Sequence, residues 1–215
     1  MRRKLSLLIL ISLISIIFIS PISAGEIIYT VSPQSINYGY ENGYVTLNIN
    51  GYKNILSPGE PALPYKVINV LIPPTAVVKD VRIDNIRHSS DNISGKVFPA
   101  QKPVPIMDKN IHPFTEPNLD IYNNTNRFPD NLIVNIGTVN KSNFRIAQIA
   151  VYPVQYLPTE NKISTYSFTI RILYSEGKVT LRTMSENQYK TFGNKIKSIV
   201  INPEILGTYQ SCVRR

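Results

Sequence analysis

Chemistry-bearing side chains are scarce in these 215 residues: one cysteine, two histidines and no tryptophan. Each scarcity excludes something. With Cys212 alone, no internal disulfide can staple the fold, so stability has to come from an ordinary apolar core. Cys212 is also the fourth residue from the end of the sequence, a place that suits a bystander better than a nucleophile. A metal centre draws on three or four ligands, whereas His88 in NIRHSSDN and His112 in NIHPFTEP stand apart in polar, surface-type stretches. The carboxylates do not gather either: Glu60, Asp80, Asp84 and Asp91 sit near turns or on the outward side of alternating runs. Glycine-rich phosphate loops of the GxGxxG or Walker type are missing. No self-contained catalytic constellation is present, and neither a cofactor nor a metal is expected.

A nucleic-acid binder needs a basic stripe or aromatic platforms among basic residues. Neither occurs, because Lys79, Asp80 and Arg82 interleave, as do Glu160 and Lys162. Part of the formal charge of +9 belongs to the N-terminus. MRRKLSLLILISLISIIFISPISAG begins with Arg2, Arg3 and Lys4, runs uncharged from Leu5 to Ile19, and closes on Pro21, Ser23 and Ala24. A positive start, an apolar core of about 7–15 residues and small residues at the end make a secretory signal, whereas a spanning helix needs about 20 apolar residues. Residues 1–24 are therefore expected to be a signal peptide cleaved after Ala24, with Ile22 a departure from the usual small residue. An uncleaved membrane anchor is the alternative. Both deliver the remainder outside the cytoplasm, secreted or at the cell surface. Taking Arg2, Arg3 and Lys4 from the 23 basic residues leaves 20 against 14 acidic ones. That scattered surplus favours solubility and acidic partners. No further long apolar stretch follows, so no membrane contact is expected after cleavage.

What the chain does have is a period of two. In YVTLNI, Val45, Leu47 and Ile49 point one way and Tyr44, Thr46 and Asn48 the other. In STYSFTIRILY, Tyr166, Phe168, Ile170 and Ile172 oppose Thr165, Ser167, Thr169 and Arg171. Such alternation of β-branched and aromatic residues with polar ones is that of a half-buried strand. EIIYTV, KVINVLI, AVVKDVRI, NLIVNI, RIAQIAVY and KVTLRT read the same way, with turn signals such as Glu41-Asn42-Gly43 and Ser175-Glu176-Gly177 between runs. The expected class is all-β, an antiparallel β-sandwich-like domain over residues 25–184. Two stretches break the alternation. From Phe98 to Asp130 the chain carries six prolines, which remove ladder donors and favour edges or extended connections. A loop of this length either binds something or is disordered. From Ser185 to Ser198, helix formers surround Gly193, a short helix or linker opening a C-terminal junction over residues 185–215.

Two proline-punctuated segments carry a family resemblance. GEPALPYKVINVLIPP places Gly59, Pro61 and Pro64 before an apolar strand that ends in Pro73-Pro74. It resembles the start of the N-terminal propeptide of gingipain-type cysteine peptidases, the caspase-like family C25, where the motif reads approximately G-x-P-x-L-P. RIAQIAVYPVQYLPTENKISTYSFTIRILYS, from Arg145 to Ser175, is similar to a later part of that propeptide, with Pro153, Val154, Gln155, Tyr156 and Pro158 matching position by position. The two segments bracket about 120 residues. Physically, such prolines pre-set an extended backbone and limit pairing at a sheet edge.

The resemblance implies an all-β unit that assists folding of a peptidase and covers its active cleft until it is cut away. It also implies a basic side chain on an exposed loop that enters the specificity pocket of Arg-specific members, where a guanidinium fork meets a buried carboxylate. Arg127, in YNNTNRFPDN near the end of the proline-rich excursion, is the expected inhibitory residue, and Arg145 is the second choice. Solvated surface charge is the alternative for both. The family's His–Cys dyad lies in a domain after the propeptide, and these residues hold none, so no peptidase activity is expected of this chain. Its expected partner is the caspase-like cysteine peptidase domain, in cis in the resembled family and in trans if the chain is complete. An extracellular adhesion or surface-assembly module of the same sandwich class is the competing expectation.

Overall fold

Alternation builds the molecule. The computed structural model describes residues 24–105, 107 and 112–214, so the expected signal peptide lies outside the described residues except for Ala24. The strands are β1 (Ala24–Val31), β2 (Asn37–Glu41), β3 (Tyr44–Asn48), β4 (Lys53–Asn54) and β5 (Pro64–Leu71). They continue with β6 (Ala76–Asn92), β7 (Ile133–Lys141), β8 (Phe144–Val151), β9 (Val154–Leu157) and β10 (Lys162–Glu176). One sheet runs β1-β10-β6, with β9 against the first residues of β10; another runs β4-β5-β8-β7; β2 and β3 form a separate hairpin. Every pair is antiparallel.

Register puts the apolar alternates of the two larger sheets face to face. Ile27 opposes Ile172 and Val31 opposes Phe168 in the first sheet, while Ile68 opposes Ile149 and Val70 opposes Ala147 in the second. These residues share one buried cluster, the filling of an antiparallel β-sandwich. The outward alternates of the first sheet are mostly polar, with Ile28 an exposed exception. There Arg171 of β10 bridges Glu26 of β1, at 3.0 Å, and Asp84 of β6. The all-β expectation is met.

The second break in the alternation is also built into the body. Helix α2, defined here as Glu186–Lys197, starts at a capping box in which Ser185 and Gln188 exchange side-chain-to-backbone hydrogen bonds. A 3₁₀ segment over Pro203–Cys212 follows. Together they bury Met184, Ile196, Leu206 and Tyr209 against Leu71, Phe144 and Ile146, the outward alternates at one end of the β5-β8 sheet. Asn202 fastens this cover: its side-chain amide accepts from Leu71 N and donates to Leu71 O, both at 2.8 Å. Residues 178–183, KVTLRT, depart from the strand reading. They form no ladder, because both sides of the preceding strand β10 are already occupied by β1 and β6 and only the flanking Gly177 and Met184 make backbone bonds to other segments. Among the described residues no helix is long and apolar enough to cross a membrane.

Candidate partner-binding site

The first proline motif makes the turn its residues require. Gly59 has φ +83°, donates its N–H to Ala100 O and accepts from Asn118 N, both at 2.8 Å. A Cβ there would stand 3.1 Å from Glu116 O, so glycine answers both a backbone conformation and a close approach. Pro61 then pairs with Pro99 in an isolated bridge, and Pro64 opens β5. The motif thus holds the start of the excursion, Phe98–Ala100, beside a later part of it, Glu116–Asn118. Between them the side chain of Gln101 donates to Thr115 O and accepts from Thr115 N at 2.8 Å, while Phe98 and Phe114 pack on Tyr44. A single helical turn, α1 (Leu119–Tyr122), follows Asn118 and buries Tyr122. Several of the excursion's middle residues, 106 and 108–111, lie outside the described set.

The second proline motif holds the excursion's last residues. Pro153 is the corner at which the chain leaves β8 in one sheet and becomes β9 in the other, its carbonyl accepting from Tyr166 N at 2.8 Å. Tyr156 exchanges two backbone hydrogen bonds of 2.8 Å with Phe128. Gln155, 7 % exposed, donates its side-chain N–H to Pro129 O at 2.7 Å. Pro158 begins a 3₁₀ turn ended by Asn161 in the left-handed region, and Asn161 accepts from the buried Tyr156 hydroxyl. Of the matched positions, Pro153 turns the chain between sheets, Gln155 and Tyr156 grip residues 128–130, Val154 is buried in the core and Pro158 turns β9 into β10; the peptide bond preceding Pro129 is cis.

This grip places Arg127. Its guanidinium lies back over the sandwich, with Nη1 donating to Ser164 Oγ at 2.9 Å and to the Tyr166 hydroxyl. Both acceptors belong to β10 and are nearly buried. The side chain is half-exposed and meets neutral hydroxyls rather than a carboxylate. Arg145 is elsewhere. It is the second residue of β8, whereas Arg127 sits past that strand's far end, so the fold does not bring the two arginines together. The backbone N–H of Arg145 donates to the Tyr209 hydroxyl at 2.9 Å, and its side-chain Nε is buried without a hydrogen-bond partner. His88 lies on the exposed part of β6, its ring 5.5 Å from that of Tyr166. Among the described residues no group of His, Cys, Asp and Glu could hold a metal ion.

Sequence reasoning missed the surface between the two motifs. Tyr65, directly after Pro64, and Tyr152, directly before Pro153, stack with ring centroids 5.7 Å apart. Burial and then the neighbouring Tyr65 and Glu60 raise the Tyr152 hydroxyl above the ordinary phenol value. The pair lines an open groove of about 560 Å³ whose other wall is Phe128-Pro129-Asp130. Nothing within either motif foretells the stack. It depends on the register of β5 against β8, which pairs residues far apart in sequence.

No protein-family model matches the chain, and no curated protein matches it. Solved structures do. A chain from the complex of the pro- and mature domains of Porphyromonas gingivalis RgpB is 18 % identical, with a TM-score of 0.63 over 85 % of this chain and 93 % of that one. A chain from a structure addressing the zymogenic latency of gingipain K, from the same organism, is 20 % identical with a TM-score of 0.58, covering 71 % of this chain and 87 % of that one. The chain shares its fold with these gingipain structures. The resemblance carried by Gly59–Pro64 and Pro153–Pro158 is thus met at the level of fold, and both segments occupy structural corners of that fold.

Proposed function

We propose that this chain is an exported, non-catalytic propeptide-like domain that docks over the cleft of a gingipain-type cysteine peptidase, keeps it inactive and assists its folding. The observation that carries the reading is the shared fold with structures of a gingipain pro-domain complex and a gingipain zymogen. The residues that earlier suggested the resemblance are the ones that turn and clamp the sandwich. The proposed leader is residues 1–24.

Arg127 is the proposed inhibitory side chain. Its present partners are two neutral hydroxyls, both reached from one nitrogen, whereas a carboxylate adds an opposite charge and can be met by two parallel N–H groups of the guanidinium fork. Swinging out to a carboxylate-lined pocket therefore exchanges weaker partners for stronger ones, while the clamp on Phe128 and Pro129 limits the chain ordering that docking would cost. Arg145 is the runner-up, hindered by the enclosure of its Nε. Inhibition of an Arg-specific gingipain-type peptidase by the purified chain tests the reading. Inhibition should be saturable, and Arg127→Ala should weaken it by about tenfold or more while the variant still melts cooperatively. A chain that neither binds nor inhibits such a peptidase overturns the function and favours an adhesion module. An unchanged inhibition constant in Arg127→Ala overturns the residue assignment.

A further inference from the structure

We propose that the groove between the two proline motifs is a docking site for an extended protein segment that pairs an apolar side chain with a lysine or arginine. Its apolar surface is Leu56, 63 % exposed, and Val134, 43 % exposed, beside the stacked faces of Tyr65 and Tyr152. Val67 and Val134 flank Ala150 in register across β5, β8 and β7, so the exposed apolar surface continues onto the sheet. A polar row, Asn69 with Gln148 at 3.0 Å, separates this open half from the half that α2 and the 3₁₀ segment cover. One end of the same sheet face is therefore sealed by the chain itself, and the other is left bare.

Charge chooses the occupant. The groove contains two carboxylates, Glu60 and Asp130, and no lysine or arginine lines it, although basic residues outnumber acidic ones in the chain as a whole. Neither carboxylate makes an ion pair among the described residues. A partly exposed aromatic pair next to carboxylates attracts a cation twice, through the ring quadrupole and through Coulomb attraction. A second copy of this chain fits poorly, since a two-fold contact would set Glu60 and Asp130 against their own counterparts. The shape of the occupant follows from topology. Among the described residues β7 is the last strand of its sheet and pairs only with β8, so a segment lying along Asn131–Val134 also meets the alternate backbone groups that point away from β8, the geometry of strand addition.

The site goes beyond the peptidase reading, because it lies on other side chains than Arg127 and holds for any partner offering such a segment. The test uses labelled peptides in which Leu or Val adjoins Arg or Lys, titrated against the purified chain by fluorescence anisotropy. Matched peptides carry citrulline or Glu in place of the cation. The basic peptides should bind saturably, lose affinity with added salt, and bind at least about tenfold more weakly to the Glu60→Gln/Asp130→Asn double variant. Val134→Asp should also abolish the apolar contribution, with melting temperatures of both variants close to that of the parent. Absence of saturable binding up to millimolar peptide, equal binding of the citrulline and Glu peptides, or undiminished binding by the double variant would each overturn it.

Discussion

Single polar side chains buried in this fold act as substitutes for backbone. Asn202 is 4 % exposed and presents its amide to Leu71 as another strand would, one donor and one acceptor, at 2.8 Å each. Tyr209 is fully buried; its hydroxyl donates to Ile72 O at 2.6 Å and accepts from Arg145 N. Both lie where β5 ends and the C-terminal cover begins. Removing one partner strands the other in a place water cannot reach, at a cost of about 1–3 kcal/mol per group. Asn202→Ala leaves both polar groups of Leu71 unmatched, so its denaturation free energy should fall by roughly 2–4 kcal/mol. Tyr209→Phe keeps the ring packing and should cost about half as much. Equilibrium unfolding in urea checks both, and an Asn202→Ala loss below about 0.5 kcal/mol would mean that these bonds contribute nothing net. Arg127 contrasts with this pair, because its bonds join a half-exposed cation to hydroxyls and can be exchanged at smaller cost.

At the scale of elements, α2 depends on its start. Its apolar stripe is short, and its outward i,i+4 pair, Lys190 with Glu186 at 2.7 Å, is exposed and adds little. The Ser185–Gln188 box satisfies two otherwise orphaned backbone donors. Ser185→Ala should therefore cost about 1 kcal/mol, read as faster amide hydrogen exchange in α2 than in β10. Uniform loss of protection across both would show that the helix and sandwich unfold as one unit. The same scale shows what was legible beforehand. Strands β1, β3, β5, β8 and β10 and the first half of β6 were visible because one face is at least partly buried, which writes a period of two into the sequence; β7 was read from NLIVNI although it is largely exposed. β2, NYGYE, was not, since its residues are all at least partly exposed and a two-sided strand leaves no alternation. The far half of β6 escaped for the same reason. KVTLRT misled in the opposite direction: it alternates, yet strand identity needs a neighbour, and both sides of β10 are taken. Likewise Arg127 was legible as a residue near the excursion's end, but its two hydroxyl acceptors were not, because they come from β10.

Across the whole molecule the tyrosines set a pH limit. There are 13 in the chain, and three of them, Tyr122, Tyr156 and Tyr209, are almost wholly buried, one or two in each of two core clusters. Burial raises all three above the ordinary phenol value of 10.0. For Tyr122 the neighbouring Tyr156 and Tyr44 add to the effect; for Tyr156 a backbone hydrogen bond opposes it; Tyr209 is pushed up to about 12. These phenols stay protonated in the folded chain at pH values where the unfolded chain has begun to release them. The folded state then binds more protons, so stability falls as pH rises. Their contribution is fully present below about pH 10 and is lost above it, for Tyr209 between 10.0 and about 12. Since Tyr122 and Tyr156 sit together in one cluster and Tyr209 in another, ionising all three should dismantle the sandwich cooperatively rather than loosen one end. Phenolate absorbance and far-ultraviolet circular dichroism followed together through an alkaline titration should show exposed tyrosines ionising first with structure intact. A second rise in phenolate should then coincide with collapse of the β signal. Complete phenolate formation with the sheet signal unchanged would show that water reaches these hydroxyls in the folded state, and that the two clusters are not closed.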